Sequence, residues 1–393
     1  MLKEIKKNRN KIGLMGSWLI NDILCMFLNV FMVAYFVKLT NYNYKIISIY
    51  YIMAYLFISI TFFAIGKIVK NITQIHIYRL GILLNSIYIL IIALLKDNIV
   101  NYCVLLGIMF GIVQGLYWLA SHTLINEYVG NKSNSFISIK SVLDKILKIL
   151  FPIIFGVSIE LTSFTYIAYV VLILTIIQIL FSLLIKDEEA VSNKKYNFKK
   201  FFLKYKNHDA LKQCCIMCGC GSSINVLLDT LITILIVMTF KTTISLGFLN
   251  TLFSICSIIS VYIFNKKIKN KKNAILFATI GLILSILLIV FKVDKFTIII
   301  YNLSAGLFLI ILKNIADAKR FVIIDKIQEA KKDYLVEYHT LVELYVNLTR
   351  IFAYIILFIS SFFNSIAPFN ILLIILTILI YIYYKMITNL NNN

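Results

Sequence analysis

Apolar residues are collected in twelve long runs along the chain, and short polar segments separate one run from the next. A helix needs about 20 apolar residues to cross the hydrocarbon core of a bilayer, and each run is close to that length or longer. The pattern therefore predicts an all-α membrane protein with twelve transmembrane helices. These helices are predicted at residues 13–37, 46–65, 78–95, 100–126, 142–159, 166–185, 216–240, 245–264, 274–291, 296–317, 341–363 and 366–384.

Composition narrows the class of protein further. Of the 393 residues, 61% are hydrophobic and 15% are charged, which excludes a soluble globular enzyme, a disordered chain and a disulfide-rich secreted domain. The two prolines and 14 glycines are too few for the many short turns of a β-barrel. The sequence has no phosphate-binding loop and no zinc-protease motif, so we expect no enzymatic activity, no ATP hydrolysis by this chain and no cofactor.

The basic residues are distributed unevenly between the polar segments. If these segments alternate between the two sides of a membrane, the side with both termini carries 28 Lys and Arg, and the other side carries 6. Such an excess marks the cytoplasmic side. We therefore expect a multi-pass protein of a bacterial plasma membrane with both termini in the cytoplasm. The net charge of +21 then faces an anionic inner leaflet, and no nucleic acid is needed as a partner.

The longest polar interruption divides the chain near its midpoint. It predicts an N-terminal six-helix bundle (1–186), a cytoplasmic basic linker (187–206) and a C-terminal six-helix bundle (207–393). Equal halves indicate a duplicated unit and hence pseudo-symmetry. Within the linker, the run FKKFFLKYK (198–206) has two interpretations. It is either an amphipathic segment on the inner membrane surface or a solvated basic linker.

This organisation resembles that of the major facilitator superfamily of transporters. In that family the loop between the second and third helices usually reads Gly-x-x-x-Asp-Arg/Lys-x-Gly-Arg-Arg/Lys, and Gly66 matches its first position. The acid, the following base, the second glycine and the arginine are replaced here by Lys70, Asn71, Thr73 and Gln74, respectively.

Other stretches extend the resemblance. Pro152 and Gly156 are similar to the family's proline–glycine feature in the fifth helix, and residues 111–129 and 342–350 look like a Gram-positive bacterial branch of uncharacterised transporters. The resemblance implies two pseudo-symmetric six-helix bundles around a central cavity. It also implies that helices one, four, seven and ten line this cavity.

Polar residues at helical spacing fall on the same four predicted helices. A charge in the centre of a bilayer costs at least about 2.5 kcal/mol, so these residues should face a cavity or a partner. We predict that they form a substrate or proton pathway. The candidates are Asp22 and Asn29 in the first helix, Gln114, Trp118 and His122 in the fourth, Asn225 and Asp229 in the seventh, and Lys313 and Asp317 in the tenth.

Two of these carboxylates have no basic residue within one helical turn. Asp22 and Asp229 could each load and release a proton, or each could stay ionised in a pair with Lys313 or Arg350. His122 could relay protons or serve as a hydrogen-bonded packing residue. Trp118 could stack on a flat or cationic substrate or pack within the core.

Two further sets of charges lie near the expected cytoplasmic ends of the fifth and eleventh helices. Asp144 and Lys148 are one turn apart, and Glu343 and Arg350 share one helical face. We interpret both sets as gate or structural ion pairs. Cys215 and Cys218 have a metal-like spacing, but no second pair of ligands completes a zinc site, so we predict no metal.

The sequence therefore predicts a monomeric secondary transporter that moves a small polar or cationic solute by alternating access. Proton coupling is expected, and efflux is slightly favoured because the embedded acids outnumber the bases. Two alternatives remain open. One is a permease subunit of a larger ATP-driven assembly, with residues 319–338 as its coupling segment, and the other is a lipid or glycan flippase, which would need a larger basic cavity.

Overall fold

A computed structural model describes residues 2–41, 43–69, 74–129, 133–186, 196–267, 271–326, 334–363 and 367–389. These residues form helices and short connections, without strands in the described ranges. The helices are α1 (Leu2–Met26), α2 (Met32–Leu39), α3 (Lys45–Val69), α4 (Gln74–Leu95), α5 (Cys103–Val129), α6 (Ser133–Leu161), α7 (Phe164–Leu184), α8 (Phe198–Tyr205), α9 (Asp209–Phe240), α10 (Thr243–Lys267), α11 (Lys271–Phe291), α12 (Lys295–Lys326), α13 (Leu335–Ser360) and α14 (Ala367–Asn389). Lys70, Asn71, Thr73 and linker residues 187–195 lie outside the described residues.

All twelve predicted membrane segments coincide with helices. Within the described residues, eleven segments are long and apolar enough to cross a membrane, and the first of them joins α1 and α2 into one span, Arg9–Leu39. The segment that does not meet this criterion is α6. Its 29 residues are ample for a crossing, but lysines and an aspartate interrupt the apolar sequence of its first half. Its packing makes it the twelfth helix of the bundle.

The two halves of the chain contact one another mainly through two helix pairs. Helix α3 packs along α13, and α6 packs along α10, so each pair joins one helix from each half. Where α6 crosses α10 the backbones are in contact, because any side chain at Gly247 would collide with the carbonyl oxygen of Pro152. We call the end of the bundle with Asn10, Lys186 and α8 the α8 end, and the end with Thr40, Leu161 and Ser360 the far end.

The first membrane helix is not α-helical throughout. Residues Phe27–Phe31 form one π-helical turn between α1 and α2. A π turn holds an extra residue, so the side chains that follow it are rotated relative to those before it. In a regular α-helix, Asp22 and Asn29 would share one face because they are seven residues apart. The π turn changes the helix geometry between them, so this expectation does not hold. Asn29 lies within the turn and is exposed.

The basic run after the unassigned part of the linker forms the short helix α8. The side chain of Asn197 caps it by accepting a hydrogen bond from the Lys200 amide at 2.9 Å. The amide of Asn197 donates to the buried carboxylate of Glu337 at 3.0 Å, which ties the start of α8 to α13. The interpretation of this run as a solvated linker is therefore wrong for residues 198–205.

Candidate functional site

The N-terminal half contributes an ion pair that the sequence did not predict. Lys140 of α6 lies 2.6 Å from Asp22 of α1, and both side chains are about 15% exposed. The ammonium group of Lys140 also lies 4.3 Å from the ring centroid of Trp18, in cation–π geometry. Asp22 is thus held by a partner from a neighbouring helix, and its partner is neither Lys313 nor Arg350.

The next turns of α6 carry a second ion pair toward the middle of the molecule. Lys148 lies 2.8 Å from Asp144, and half of the Lys148 side chain is exposed. Lys148 also interacts electrostatically with both Asp22 and Asp229. One lysine of α6 thus interacts with carboxylates of both halves.

The C-terminal half contributes Asp229, whose side chain is exposed although α9 is otherwise largely buried. Asp229 interacts electrostatically with Lys313 of α12 and with tyrosines of three different helices. Those are Tyr51 and Tyr55 of α3, Tyr301 of α12 and Tyr354 of α13. The Asp229 side chain is thus accessible, although it interacts with charged and aromatic groups of both halves. We call Asp22, Lys140, Asp144, Lys148, Asp229 and Lys313 the central cluster.

Arg350 contacts polar and aromatic groups beside the central cluster. Its Nε donates to the Ser222 hydroxyl at 2.6 Å, and its Nη1 donates to the side-chain oxygen Oδ1 of Asn347 at 3.2 Å. The guanidinium lies 4.9 Å from the centroid of Tyr55, a residue of the other half. None of the ion pairs among the described residues joins Arg350 to Glu343. The prediction of a Glu343–Arg350 pair is therefore wrong, and Glu343 interacts electrostatically with Arg320 instead.

Aromatic rings form a row that crosses from one half to the other toward the α8 end. Trp118 donates from Nε1 to the Gln114 carbonyl at 2.9 Å, and its ring lies 6.5 Å from that of Trp18. The row continues to His122 at 5.6 Å and then to His339 of α13 at 5.2 Å, where the two imidazole planes differ by 11°. The histidine pair joins α5 to α13 across the two halves.

Hydrogen bonds join the halves at the far end. The carboxylate of Glu160 accepts from the Thr243 amide at 2.7 Å and lies 2.6 Å from its hydroxyl. Beside α13, the hydroxyl of Tyr44 donates to the Ser360 carbonyl at 3.1 Å. The central cluster therefore lies between two sets of contacts, one toward each end of the bundle.

The remaining predicted residues lie apart from the central cluster. Asn225 is half-buried one turn before Asp229. Asp317 is exposed, and its electrostatic neighbours are Cys218 and Tyr383. Lys313 and Asp317 form no ion pair with each other in the part of the chain that the structure describes. Sequence spacing placed these residues on the correct helices but did not separate those near Asp229 from those that are distant.

The cysteines near the start of α9 pack within the protein. Cys214 and Cys215 are buried beside Tyr338 and Leu341, and all seven cysteines of the chain are free thiols. Within the described ranges, no group of three or more His, Cys, Asp or Glu side chains could hold a metal ion.

Lys140 and His339 were missed because each lies two residues before a predicted membrane segment. A signal for Lys140 was nevertheless present in the sequence. It precedes Asp144 by four residues and Lys148 by eight, so a helix extended by one turn places all three side chains on one face. His339 carried no comparable signal, since its significance depends on a contact with the opposite half.

Comparison with known proteins assigns the chain to a family. Residues 7–318 match the Major Facilitator Superfamily. The chain belongs to this superfamily. Its fold is accordingly two pseudo-symmetric six-helix bundles, and its family is one of secondary transporters that span the membrane several times.

Two curated proteins are similar to this chain in sequence. One is the uncharacterized protein YqgE of Bacillus subtilis (strain 168), 24% identical over 277 residues, which cover 68% of this chain and 61% of the relative. The other is an uncharacterized protein in the sodM 3' region of Geobacillus stearothermophilus, 26% identical over 108 residues, which cover 28% of this chain and 50% of the relative. The chain therefore spans between half and about 60% of the length of these relatives.

Solved transporter structures share the whole fold at low sequence identity. A bacterial homologue of the iron transporter ferroportin, in its inward-facing state, matches with a TM-score of 0.66 and 12% identity over 99% of both chains. The nucleoside transporter NupG matches with a TM-score of 0.63 and 13% identity, again over 99% of both chains. At these identities the similarity describes the fold alone.

Proposed function

We propose that this chain is a proton-coupled secondary transporter that moves a small polar or zwitterionic solute by alternating access between its two halves. The observation that carries the proposal is the central cluster, in which the exposed Asp229 side chain interacts with Lys148 of one half and Lys313 of the other. Ionisable groups at such a depth are costly unless they serve a substrate or an ion. The site residues, the membrane orientation and the monomeric state predicted from the sequence belong to this proposal.

Asp229 is the better candidate for the proton carrier. Asp22 is fixed by Lys140 at 2.6 Å, so protonation of Asp22 would break a short ion pair. Asp229 takes part in none of the ion pairs among the described residues, and its side chain is exposed. A proton that crosses a potential of 100 mV releases about 2.3 kcal/mol, which can move a solute against its gradient.

The charges of the central cluster favour a zwitterionic or neutral polar substrate over a simple cation. Three carboxylates face three lysines there, and the guanidinium of Arg350 lies nearby. The sequence argument for efflux depended on an excess of acids, and this balance removes that argument. The slight preference for efflux therefore loses its support, and the assay decides the direction of transport.

The contacts between the halves support an alternating mechanism. Opening toward the α8 end requires separation of the stacked His122 and His339 rings, and opening toward the far end requires release of Thr243 from Glu160. Each set can break while the other holds, because the two sets lie at opposite ends of the bundle: His339 is near the start of α13 and Ser360 is at its end. Rocking of two bundles about a fixed central site fits this arrangement.

The test is a substrate screen with the purified protein in liposomes, run with and without a pH gradient. The panel contains amino acids, cationic drugs, nucleosides and divalent iron, the last two because of the names of the structural neighbours. We expect accumulation of one polar class that depends on the gradient. Accumulation that ignores the pH gradient would contradict proton coupling.

Co-purification of an ATPase, with no transport in its absence, would instead support the permease alternative. The candidate coupling segment of that alternative, residues 319–338, lies partly outside the described residues. Movement of labelled lipid across the bilayer, with no solute uptake, would support the flippase alternative.

A further inference from the structure

Helix α8 is docked on the protein through one face. Phe201 is fully buried and Tyr205 nearly so, and the Phe201 ring lies 5.7 Å from that of Tyr334. Both belong to a small core that includes Leu211 at the start of α9 and Val342 of α13. The position of α8 is therefore fixed at the ends of two membrane helices.

One edge of α8 continues the outer surface of a membrane helix. Phe63 of α3 is 43% exposed, and its ring lies 5.5 Å from that of Phe198 in T-shaped geometry. The Phe198 ring in turn stacks on Phe202 at 6.3 Å, and Phe202 is 42% exposed. Three rings thus lead from the exposed surface of a membrane span to an exposed aromatic side chain on α8.

Lysines flank this exposed ring. At 100° per residue, Lys206 and Lys199 follow Phe202 around the helix, whereas Lys200 and Lys204 project from the opposite edge. Residues 196–208 contain four lysines and no acidic residue. Of the nearest acids, Glu337 is buried against the Asn197 amide, and Asp209 is exposed at the start of α9.

We propose that this edge of α8, formed by Phe202, Lys199 and Lys206, binds the headgroup of an anionic phospholipid. An aromatic ring beside the surface of a membrane span reaches the level of the acyl chains near the interface, and lysines beside it reach the phosphates. The charge is complementary, since every charged residue of α8 is a lysine. This inference concerns the bilayer and stands independently of the transported solute.

The test uses the purified full-length protein in detergent and counts bound lipids by native mass spectrometry. The probes are phosphatidylglycerol, phosphatidylcholine and soluble glycerol 3-phosphate. The variant K199Q/K206Q is compared with the matched control K200Q/K204Q, which removes the same charge from the other edge. Size-exclusion chromatography and circular dichroism verify that each variant is folded.

We expect the wild type to prefer phosphatidylglycerol. The K199Q/K206Q variant should bind it about 25-fold more weakly, since each lysine at an anionic surface contributes about fivefold. The control should lose less than about threefold, and F202S should weaken binding where F202L does not. Equal loss in the two lysine variants would overturn the proposal, because it indicates diffuse attraction to charge. Equal binding of glycerol 3-phosphate and lipid would also overturn it.

Discussion

The two halves hold their central carboxylates in opposite ways. In the N-terminal half, Asp22 and Asp144 each have a lysine within 2.8 Å, and both lysines come from α6. In the C-terminal half, Asp229 forms none of the described ion pairs, although Lys313 is close enough to interact with it. Pseudo-symmetric halves therefore carry chemically different sites.

This difference separates structural charges from those free to titrate. A buried ion pair is disrupted at high cost when one partner is lost, so its partners are poorly suited to release and reload protons in each cycle. An exposed carboxylate without a bonded partner can change its charge with little rearrangement. Under the proposed function, we therefore expect packing on the Asp22 side and proton exchange on the Asp229 side.

The largest expected effect is that of D229N. We expect this variant to lose pH-driven transport of the solute found in the screen by at least about 100-fold, because a positioned proton-transfer group contributes on that order and Asp229 is the proposed carrier. The measurement is uptake into proteoliposomes. The matched control is D209N, an exposed carboxylate at the start of α9 that lies outside the proposed site. Comparable activity in D229N and wild type would remove the assignment.

A second effect should appear in stability when the Asp22 pair is broken. K140M leaves Asp22 mostly buried and unpaired, so we expect a loss of about 3 kcal/mol and a lower Tm in detergent. Adding D22N should restore most of that loss, because the uncompensated charge is then removed. K145M serves as the control, since Lys145 forms none of the described ion pairs. Equal destabilisation by K140M and K145M would show that the Asp22 pair has no special role.

A smaller effect concerns the far-end contact between the halves. T243V removes the hydroxyl that lies beside Glu160 and 2.9 Å from the Gly156 carbonyl, while the amide hydrogen bond remains. A hydrogen bond to a charged group contributes about 1.5 kcal/mol or more, so we expect the population open at the far end to rise about tenfold. Spin-label distances between α6 and α10 measure it. T242V, which removes a hydroxyl bonded only to Ser245 among its described contacts, should leave the distances unchanged.

The smallest effect should come from Asp294, a surface carboxylate that caps the start of α12. Asp294 accepts a hydrogen bond from the Thr297 amide at 2.9 Å, and this bond together with Lys292 holds the pKa of Asp294 below its usual value. Because the folded pKa is lowered, this stabilisation is present above the unfolded pKa of about 3.9 and is lost as the pH falls through the folded value. D294A should therefore lower Tm slightly at neutral pH, and the difference should shrink below about pH 4. A difference that grows on acidification would contradict this sign.

Much of the fold could be predicted from the sequence, because an apolar run of about 20 residues is long enough to cross a membrane as a helix. The twelve segments, and the helices that carry Asp22, His122, Asp229 and Lys313, follow from spacing alone. Partners across helices could not be predicted, because the pairing of Asp22 with Lys140 depends on how α1 packs against α6. The π turn at Phe27–Phe31 was equally hidden, since nothing in its sequence, four apolar residues and Asn29, distinguishes it from a regular α-helical turn.

The boundaries of the apolar runs set a further limit. Lys140 and His339 were counted outside the membrane segments, although the helices extend past both residues. Hydropathy alone does not distinguish polar side chains at the end of a helix from those in a loop. Only a periodicity that continues past the apolar run, as from Lys148 through Asp144 to Lys140, could have shown that the helix extends.

The most direct test of the central claim is infrared difference spectroscopy of the reconstituted protein during a pH titration, because it detects carboxyl protonation without a known substrate. All Asp and Glu side chains contribute protonated-carboxyl signal on acidification, so the variants are compared by difference. We predict that one component of this signal is present in the wild type and in D22N and is missing in D229N. A D229N spectrum identical to that of the wild type, with a component missing in D22N instead, would contradict the account.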